Sequence, residues 1–319
     1  MTIARFSQPT ARDVRPVDPV LTNLSIGFKN DKFLWDKIAP VSEQPQKSGT
    51  FPIYTRDFWM RRKAGAMRAP EGPYLRVGYG VTTDTYNALE RGFEKVVADV
   101  IVAANLFGDD PEKLATAFVT NLIQLELEKD VAAACFITGV WGTSTTLAGT
   151  NQWSDFDASD PIANVDTARR IIKRNTGATP NVLFLGLLAW EKLKEHPLLV
   201  DKYKHTQKGI LTPELVAAVL GVDEVVVGDS VENTAAEGAT YVGADIWTDN
   251  ALLLVRNNPA LMVANGAYTF MWNEKGNIPW AIENYRDETV RSDVLRCFTH
   301  YVPKIVSAQH GYIYLDCVA

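Results

Sequence analysis

The most persistent helical spacing of apolar residues runs through "GDDPEKLATAFVTNLIQLELEKDVAAACFITG". There Leu114, Phe118, Leu122 and Leu125 recur on one side, with Asn121, Gln124 and Glu128 on another. Asp109 or Asp110 caps the start, Pro111 suits the first turn, and Gly139 ends the run. From Pro111 to Thr138 the helix should reach roughly 42 Å at 1.5 Å per residue, longer than the usual globular helix. That length suits a strut, and no heptad is sustained enough for a coiled coil.

Upstream the period changes. "TFPIYTRDFW" and "YLRVGYGVTTDTYNAL" are β-rich and read as the two sides of a long hairpin. Between them "FWMRRKAGAMRAPEGPY" follows neither period, and Gly65, Pro70, Gly72 and Pro73 break whatever starts. This tip sets Arg61, Arg62, Lys63 and Arg68 among Trp59, Met60, Met67 and Tyr74, with only Glu71 opposing them. A two-stranded ribbon is marginal in water without something to lie on, so this part expects a neighbour. Residues 1–50 read as an arm broken by Pro9, Pro16, Pro19, Pro40 and Pro45, and only Asn30–Lys37 looks locally helical. Leu24, Ile26, Phe28, Phe33, Leu34 and Trp35 make the arm too apolar for a free tail. It should dock on the rest of the chain or on another chain.

Downstream, "DPIANVDTARRIIKRNTGATPN" is a helix opened by Asp160 and Pro161 and stopped by Gly177. Its Arg169, Arg170, Lys173 and Arg174 suit the negative end of the helix dipole. "NVLFLG" reads as a buried strand, "LLAWEKLKEHP" as a helix closed by Pro197, and "TPELVAAVLG" as a helix capped by Thr212. "VDEVVVGDS" and "ADIWTDNALLLVRN" supply further strands, so this stretch forms an α/β module. From about Ala260 the chain returns to strands in "AYTFMWNEKG", "VRSDVLRCFTHYVP" and "KIVSAQHGYIYLDCV". The class is α+β, and no segment repeats another.

With 319 residues and 46% apolar content the chain can build one large or two ordinary domains. A net charge of −6 argues against a dedicated nucleic-acid binder. It also makes the basic tip a local contrast, suited to an acidic protein surface. The N-terminus has no signal-peptide core and no window is long and apolar enough for a membrane span, so synthesis in the cytosol is expected. Cys135, Cys297 and Cys317 are far apart and read as buried thiols, and Cys135 in "AAACFI" lacks the setting of a nucleophile. His196, His205, His300 and His310 match no zinc spacing, and "GYG" at Gly78–Gly80 opens no helix. Carboxylate pairs such as Asp109–Asp110, Glu126–Glu128 and Asp287–Glu288 single out no acid/base dyad. No catalytic, cofactor-binding or metal residue is assigned.

Arm, long hairpin loop, strut helix, inserted α/β wedge and closing β-rich part follow one another in a specific order. That order resembles the major capsid proteins of tailed bacteriophages, which share the Hong Kong 97-type capsid fold. "DTARRIIKRNTGATPNVLFLGLLAWEKLKEHP", "GILTPELVAAVLGVDEVVVGDS" and "DETVRSDVLRCFTHYVPKIVSAQHGYIY" carry the likeness, which covers the chain from about Val14 onward. It implies an N-terminal arm over 1–50, an extended loop over 51–86 and a spine helix over 109–138. It implies a peripheral domain over 87–159 and 259–303, and an axial domain over 160–258 joined by 304–319.

The resemblance also implies hexamers and pentamers closing an icosahedral head around double-stranded DNA, in a virion assembled in the host cytoplasm. Trp59, Met60, Arg61, Arg62, Lys63, Met67, Arg68 and Tyr74 would touch the neighbouring subunit. Candidate acidic acceptors are Glu126, Glu128, Asp287 and Glu288, with no reason to choose among them. Expected partners are further copies of the chain, a separate scaffolding protein, a portal protein and a decoration protein, with packaged DNA met weakly and without sequence preference and no membrane. Some relatives cross-link a loop lysine to an asparagine of a neighbour. Lys63 is the candidate lysine here, and Asn257, Asn258, Asn273 and Asn277 are candidate acceptors, but a solvated Lys63 favours non-covalent stapling. Two alternatives stay open: an encapsulin-type compartment shell, and a cysteine- or carboxylate-dependent enzyme.

Overall fold

Strand β13 (Ser292–Ile305) is the axis of the first sheet in the computed structural model, which describes residues 33–319 apart from 55, 65, 69, 105–109, 204–211, 257–264 and 275–278. Before it in the chain come α1 (Trp35–Ile38), β1 (Val41–Gln44), β2 (Ser48–Tyr54), α2 (Arg56–Trp59), β3 (Val81–Asn87), β4 (Leu89–Ala98), α3 (Asp99–Ala104) and α4 (Pro111–Cys135). Then follow β5 (Thr143–Thr146), α5 (Pro161–Thr176), β6 (Val182–Gly186), α6 (Leu187–Glu195), α7 (Pro197–Tyr203), α8 (Pro213–Leu220) and β7 (Glu224–Gly228). The chain continues through β8 (Val231–Asn233), β9 (Gly243–Asp245), β10 (Ala251–Leu254), β11 (Ala267–Trp272) and β12 (Ala281–Asp287), and ends with β14 (Gly311–Leu315) after β13.

The first five-stranded sheet runs β1-β11-β13-β12, with β4 also pairing β13 from Ser292↔Ala98 to Tyr301↔Leu89. The second runs β5-β14-β10-β6-β7, so the last strand of the chain lies between two earlier ones. Thr143–Thr146, assigned to the peripheral part above, pairs in parallel with this last strand. Val41–Gln44 of the arm pairs in parallel with β11, so that portion docks on its own chain.

Strand β6 shows why its sequence is apolar without alternation. Val182 and Phe184 face the core shared with α4, and Leu183 and Leu185 face a second core beneath α5, α6 and α8. A strand buried on both faces needs apolar residues at every position. Gly186 ends it where a Cβ would overlap the Thr248 carbonyl, so the close backbone approach requires glycine.

Helix α5 begins as its caps dictate. Asp160 accepts from Ala163 N at 2.9 Å, Pro161 fills the first turn, and Gly177 stops the helix at φ 77°. Gly221 closes α8 in the same left-handed conformation, but Thr212 makes no side-chain cap bond, contrary to the sequence expectation. Helix α4 is capped by Asp110, which accepts from Glu112 N, and it ends at Cys135 rather than Thr138. Asp109 lies outside the described residues.

The face of α4 differs from the expected one. Leu114 and Phe118 are exposed, and Leu122 and Leu125 are half-buried. The buried stripes are Ala115, Val119, Ile123, Leu127 and Val131, beside Thr116, Thr120, Gln124 and Glu128. They pack with Trp35 and Ile38 of the arm and with Ile282, Leu295, Cys297 and Tyr301 of the first sheet. Apolar residues occupy both sides of this helix, so periodicity alone could not choose the inward one.

A candidate assembly surface

The ribbon predicted from β-rich composition is formed by β2 and β3, paired antiparallel from Ser48↔Asn87 to Tyr54↔Val81. Its root is anchored. Phe51 and Tyr86 stack on Phe270 with centroids 5.2 and 5.1 Å apart, and Lys304 pairs with Asp84 at 2.9 Å. That contact is the main reason the Asp84 carboxyl sits below the usual carboxylate range.

Beyond Tyr54 and Val81 the ribbon touches its own chain where Arg56 Nη1 donates to Asn175 O at 3.5 Å and to Gln309 Oε1 at 3.4 Å and where Met60 reaches Gly177, and the rest of the tip is exposed. Tyr54, Trp59 and Tyr79 form an aromatic triad with centroids 6.0 to 6.2 Å apart, and Trp59 is still 66% exposed. Arg68 lies over Tyr74 at 4.7 Å and Lys63 over Phe58 at 5.4 Å. Met67 is 97% exposed. All eight residues named for contact, Trp59, Met60, Arg61, Arg62, Lys63, Met67, Arg68 and Tyr74, lie on the surface of this one tip. Among the described residues little covers this apolar, cationic tip, and an exposed patch of that kind is the character of an interaction surface.

The four candidate acceptors are not brought together. Glu128 is a correction: it is fully buried and faces inward, so no loop can reach it. Its Oε2 accepts from Leu34 N at 2.9 Å and Trp35 N at 2.7 Å, and its Oε1 from Ser230 Oγ at 2.7 Å and Trp247 Nε1 at 2.6 Å. Burial pushes the carboxyl above its ordinary pKa, with those four donors opposing. The sequence missed this node because nothing in it brings Leu34, Ser230 and Trp247 to one point.

Asp287 is half-buried and accepts from Thr289 N at 2.9 Å and Thr289 Oγ1 at 2.5 Å, closing its own turn. Glu288 is exposed and pairs with Arg286 at 3.4 Å, whose fork also grips Asp99 at 2.5 and 2.6 Å. Glu126 is half-buried.

Sequence reasoning also missed three exposed apolar surfaces. Leu114 and Phe118 crown the start of α4, Val100, Ile101 and Val102 lie on α3, and Val231, Tyr241 and Val242 lie on or between β8 and β9. On the chemical side, Cys135 and Cys297 are buried thiols pushed up to about 12 by desolvation, far from a thiolate near neutral pH. Among the described residues no group of His, Cys, Asp and Glu is placed to hold a metal ion, and no helix is long and apolar enough to cross a membrane. His205, Asn257, Asn258 and Asn277 lie outside the described residues, and Asn273 is half-buried.

The two-sheet body with its projecting aromatic, basic ribbon has the Hong Kong 97-type capsid fold. The crystal structure of a phage-related protein from Bordetella bronchiseptica RB50 superimposes with a TM-score of 0.76 at 22% identity, covering 95% of this chain and 98% of that one. The capsid structure of Cyanophage P-SCSP1u matches with a TM-score of 0.59 at 13% identity, over 87% and 86% of the two chains. In sequence, residues 140–272 match the family described as phage major capsid protein E. The chain is 28% identical to the major capsid protein of Burkholderia phage BcepMu, over 94% of this chain and 96% of the relative. In sequence it is thus similar to phage major capsid proteins.

Proposed function

We propose that this chain is the major capsid protein of a tailed phage, copies of which form the hexamers and pentamers of an icosahedral head around double-stranded DNA. The observation that carries this is the two-way coverage with the BcepMu major capsid protein, 94% of this chain and 96% of that one. The match thus runs along nearly the full length of both chains. The same relative favours a phage head over an encapsulin-type compartment shell. Electron microscopy of the expressed protein tests it: closed shells are expected, and monomers alone across salt and crowding conditions would count against it.

Within that reading, the first sheet with α4 serves as the peripheral domain, and the second sheet with α5, α6 and α8 as the axial domain. The ribbon tip meets a neighbouring subunit, its aromatics supplying burial and its cations setting register. Scaffolding, portal and decoration proteins are the further partners, assembly takes place in the host cytoplasm, and packaged DNA is held weakly through its phosphates. Filter binding of the isolated subunit tests the last point, because sequence-selective nanomolar binding would be inconsistent with it.

A further inference from the structure

The β8–β9 hairpin is the electrostatic opposite of the ribbon tip. From Gly228 to Asn250 the chain carries Asp229, Glu232, Glu237, Asp245 and Asp249 and no Lys, Arg or His, a net of −5. From Thr55 to Gly80 the ribbon carries Arg56, Arg61, Arg62, Lys63, Arg68 and Arg76 against Asp57 and Glu71, a net of +4. The hairpin segment holds no cation, and the six cations of the ribbon outnumber its two carboxylates.

The hairpin is also held rigid at its root. Ser230 Oγ donates to Glu128, Ile246 N donates to Ser230 O at 3.0 Å, and Glu232 pairs with Lys129 of α4 at 2.5 Å. Strand pairing then sets the opposite face. Val231 lies directly across from Asp245, so both project away from the side that Glu232 ties to α4. Asn233 Oδ1 accepts from Ala235 N and Val242 N, which fixes the path toward the tip and leaves Tyr241 and Val242 exposed. Asp229, Glu237 and Asp245 are exposed and make no hydrogen bond or ion pair among the described residues. Among the described residues no hydrogen bond or ion pair joins this hairpin to the ribbon of the same subunit, so these charges remain available to a different copy.

We propose that this exposed face, Asp229, Glu237 and Asp245 around Val231 and Tyr241, is the acceptor on a second copy of the chain for the basic ribbon tip. The inference rests on the capsid reading and replaces the scattered acceptors named from sequence with one surface. The occupant is a second copy because the tip matches the hairpin in both respects: unpaired cations for unpaired carboxylates, and exposed Trp59, Met67 and Tyr74 for exposed Val231 and Tyr241. Charge complementarity sets register and encounter, and the apolar pairs supply the burial.

Two measurements on assembled particles test it. Carbodiimide joins an amine to a carboxylate in contact, and Lys63 is the only lysine between Thr50 and Tyr86. Peptide mapping of coupled wild-type particles should find Lys63 joined to Asp229, Glu237 or Asp245 of another copy. Second, Arg61→Glu/Arg62→Glu/Arg68→Glu and Asp229→Lys/Glu237→Lys/Asp245→Lys should each lower shell yield about tenfold or more, and the six changes combined should restore it, since every contact regains opposite signs.

If the loop reversal blocks assembly while the hairpin reversal closes shells normally, the hairpin is not the acceptor and the capsid reading stands. Coupling of Lys63 only to carboxylates elsewhere, such as Glu126 or Glu288, overturns the proposal in the same way. Loss of DNA retention from otherwise intact shells would make phosphate the tip's anion and also overturn it. Should the hairpin variant lose its own fold by melting, the wild-type coupling map decides alone. Failure of wild-type protein to form any shell would instead count against the capsid reading itself.

Discussion

Trp247 donates its indole N–H to Glu128 Oε1 at 2.6 Å, joining the segment after the β8–β9 hairpin to the middle of the long helix inside the core. The same carboxylate accepts from the backbone of Leu34 and Trp35, so one side chain fastens the segment before α1, the long helix and the segments flanking the β8–β9 hairpin. Glu128→Ala leaves four donors without their acceptor, each costing about 1–3 kcal/mol when buried. The unassembled subunit should lose at least about 3 kcal/mol in denaturant unfolding, with Glu128→Gln milder. A change below about 0.5 kcal/mol in the alanine variant would show that the node does not hold these parts together.

Protons should destabilise the subunit through His196. Its Nδ1 accepts from Leu198 N at 3.3 Å, so the ring proton sits on Nε2 and is donated to Ser159 Oγ at 3.0 Å, which in turn donates to Asp155 O at 2.6 Å. A second proton would set two donors against each other at Nδ1. Burial holds this imidazole below its usual pKa, with the Asp160 charge opposing. The unfolded chain therefore takes up the proton first, and stability present above about pH 6.5 is lost as pH falls below it. Glu128 titrates in the opposite sense, so the measurement compares wild type with His196→Gln. The variant should be less stable at pH 7.5 by about 1 kcal/mol yet lose less melting temperature between pH 7 and 5. Parallel slopes would sink the idea.

Helix α4 offers a test of which face is structural. Leu127→Ala removes a fully buried side chain and should cost about 2–5 kcal/mol. Leu114→Glu/Phe118→Glu alters exposed positions and should change subunit stability by less than about 1 kcal/mol. If that pair meets a neighbour, the double variant stays soluble and folded but forms few shells. Normal particle yield would assign the pair to plain solvent exposure.

Deleting Arg56–Val77 spares the ribbon root, where Phe51, Tyr86 and Phe270 stack. The truncated subunit should melt close to wild type and fail to close shells. Closed particles of normal size would show the tip to be dispensable.

Denaturing electrophoresis of mature particles should give a single band near 35.3 kDa. Lys63 stands exposed beside the Phe58 ring, and isopeptide chemistry needs a desolvated, closely oriented amine. A ladder resistant to boiling and reductant would refute non-covalent stapling.

What the sequence determined by itself is local. Asp160 with Pro161 and Gly177 bounded α5, Asp110 with Pro111 opened α4, and the apolar run at Val182–Gly186 announced a buried strand, because capping, φ limits and unbroken apolar runs act over a few residues. The basic, aromatic character of the ribbon tip was legible for the same reason. Only tertiary structure decided which side of α4 faces inward, since Leu114 and Phe118 are as apolar as Val119 and Ile123 and the choice depends on what the first sheet presents. It also decided that Glu128 is a buried tie while Asp229, Glu237 and Asp245 face outward, because a carboxylate's role follows from the donors the fold brings to it, and those of Glu128 lie 93 to 119 residues away.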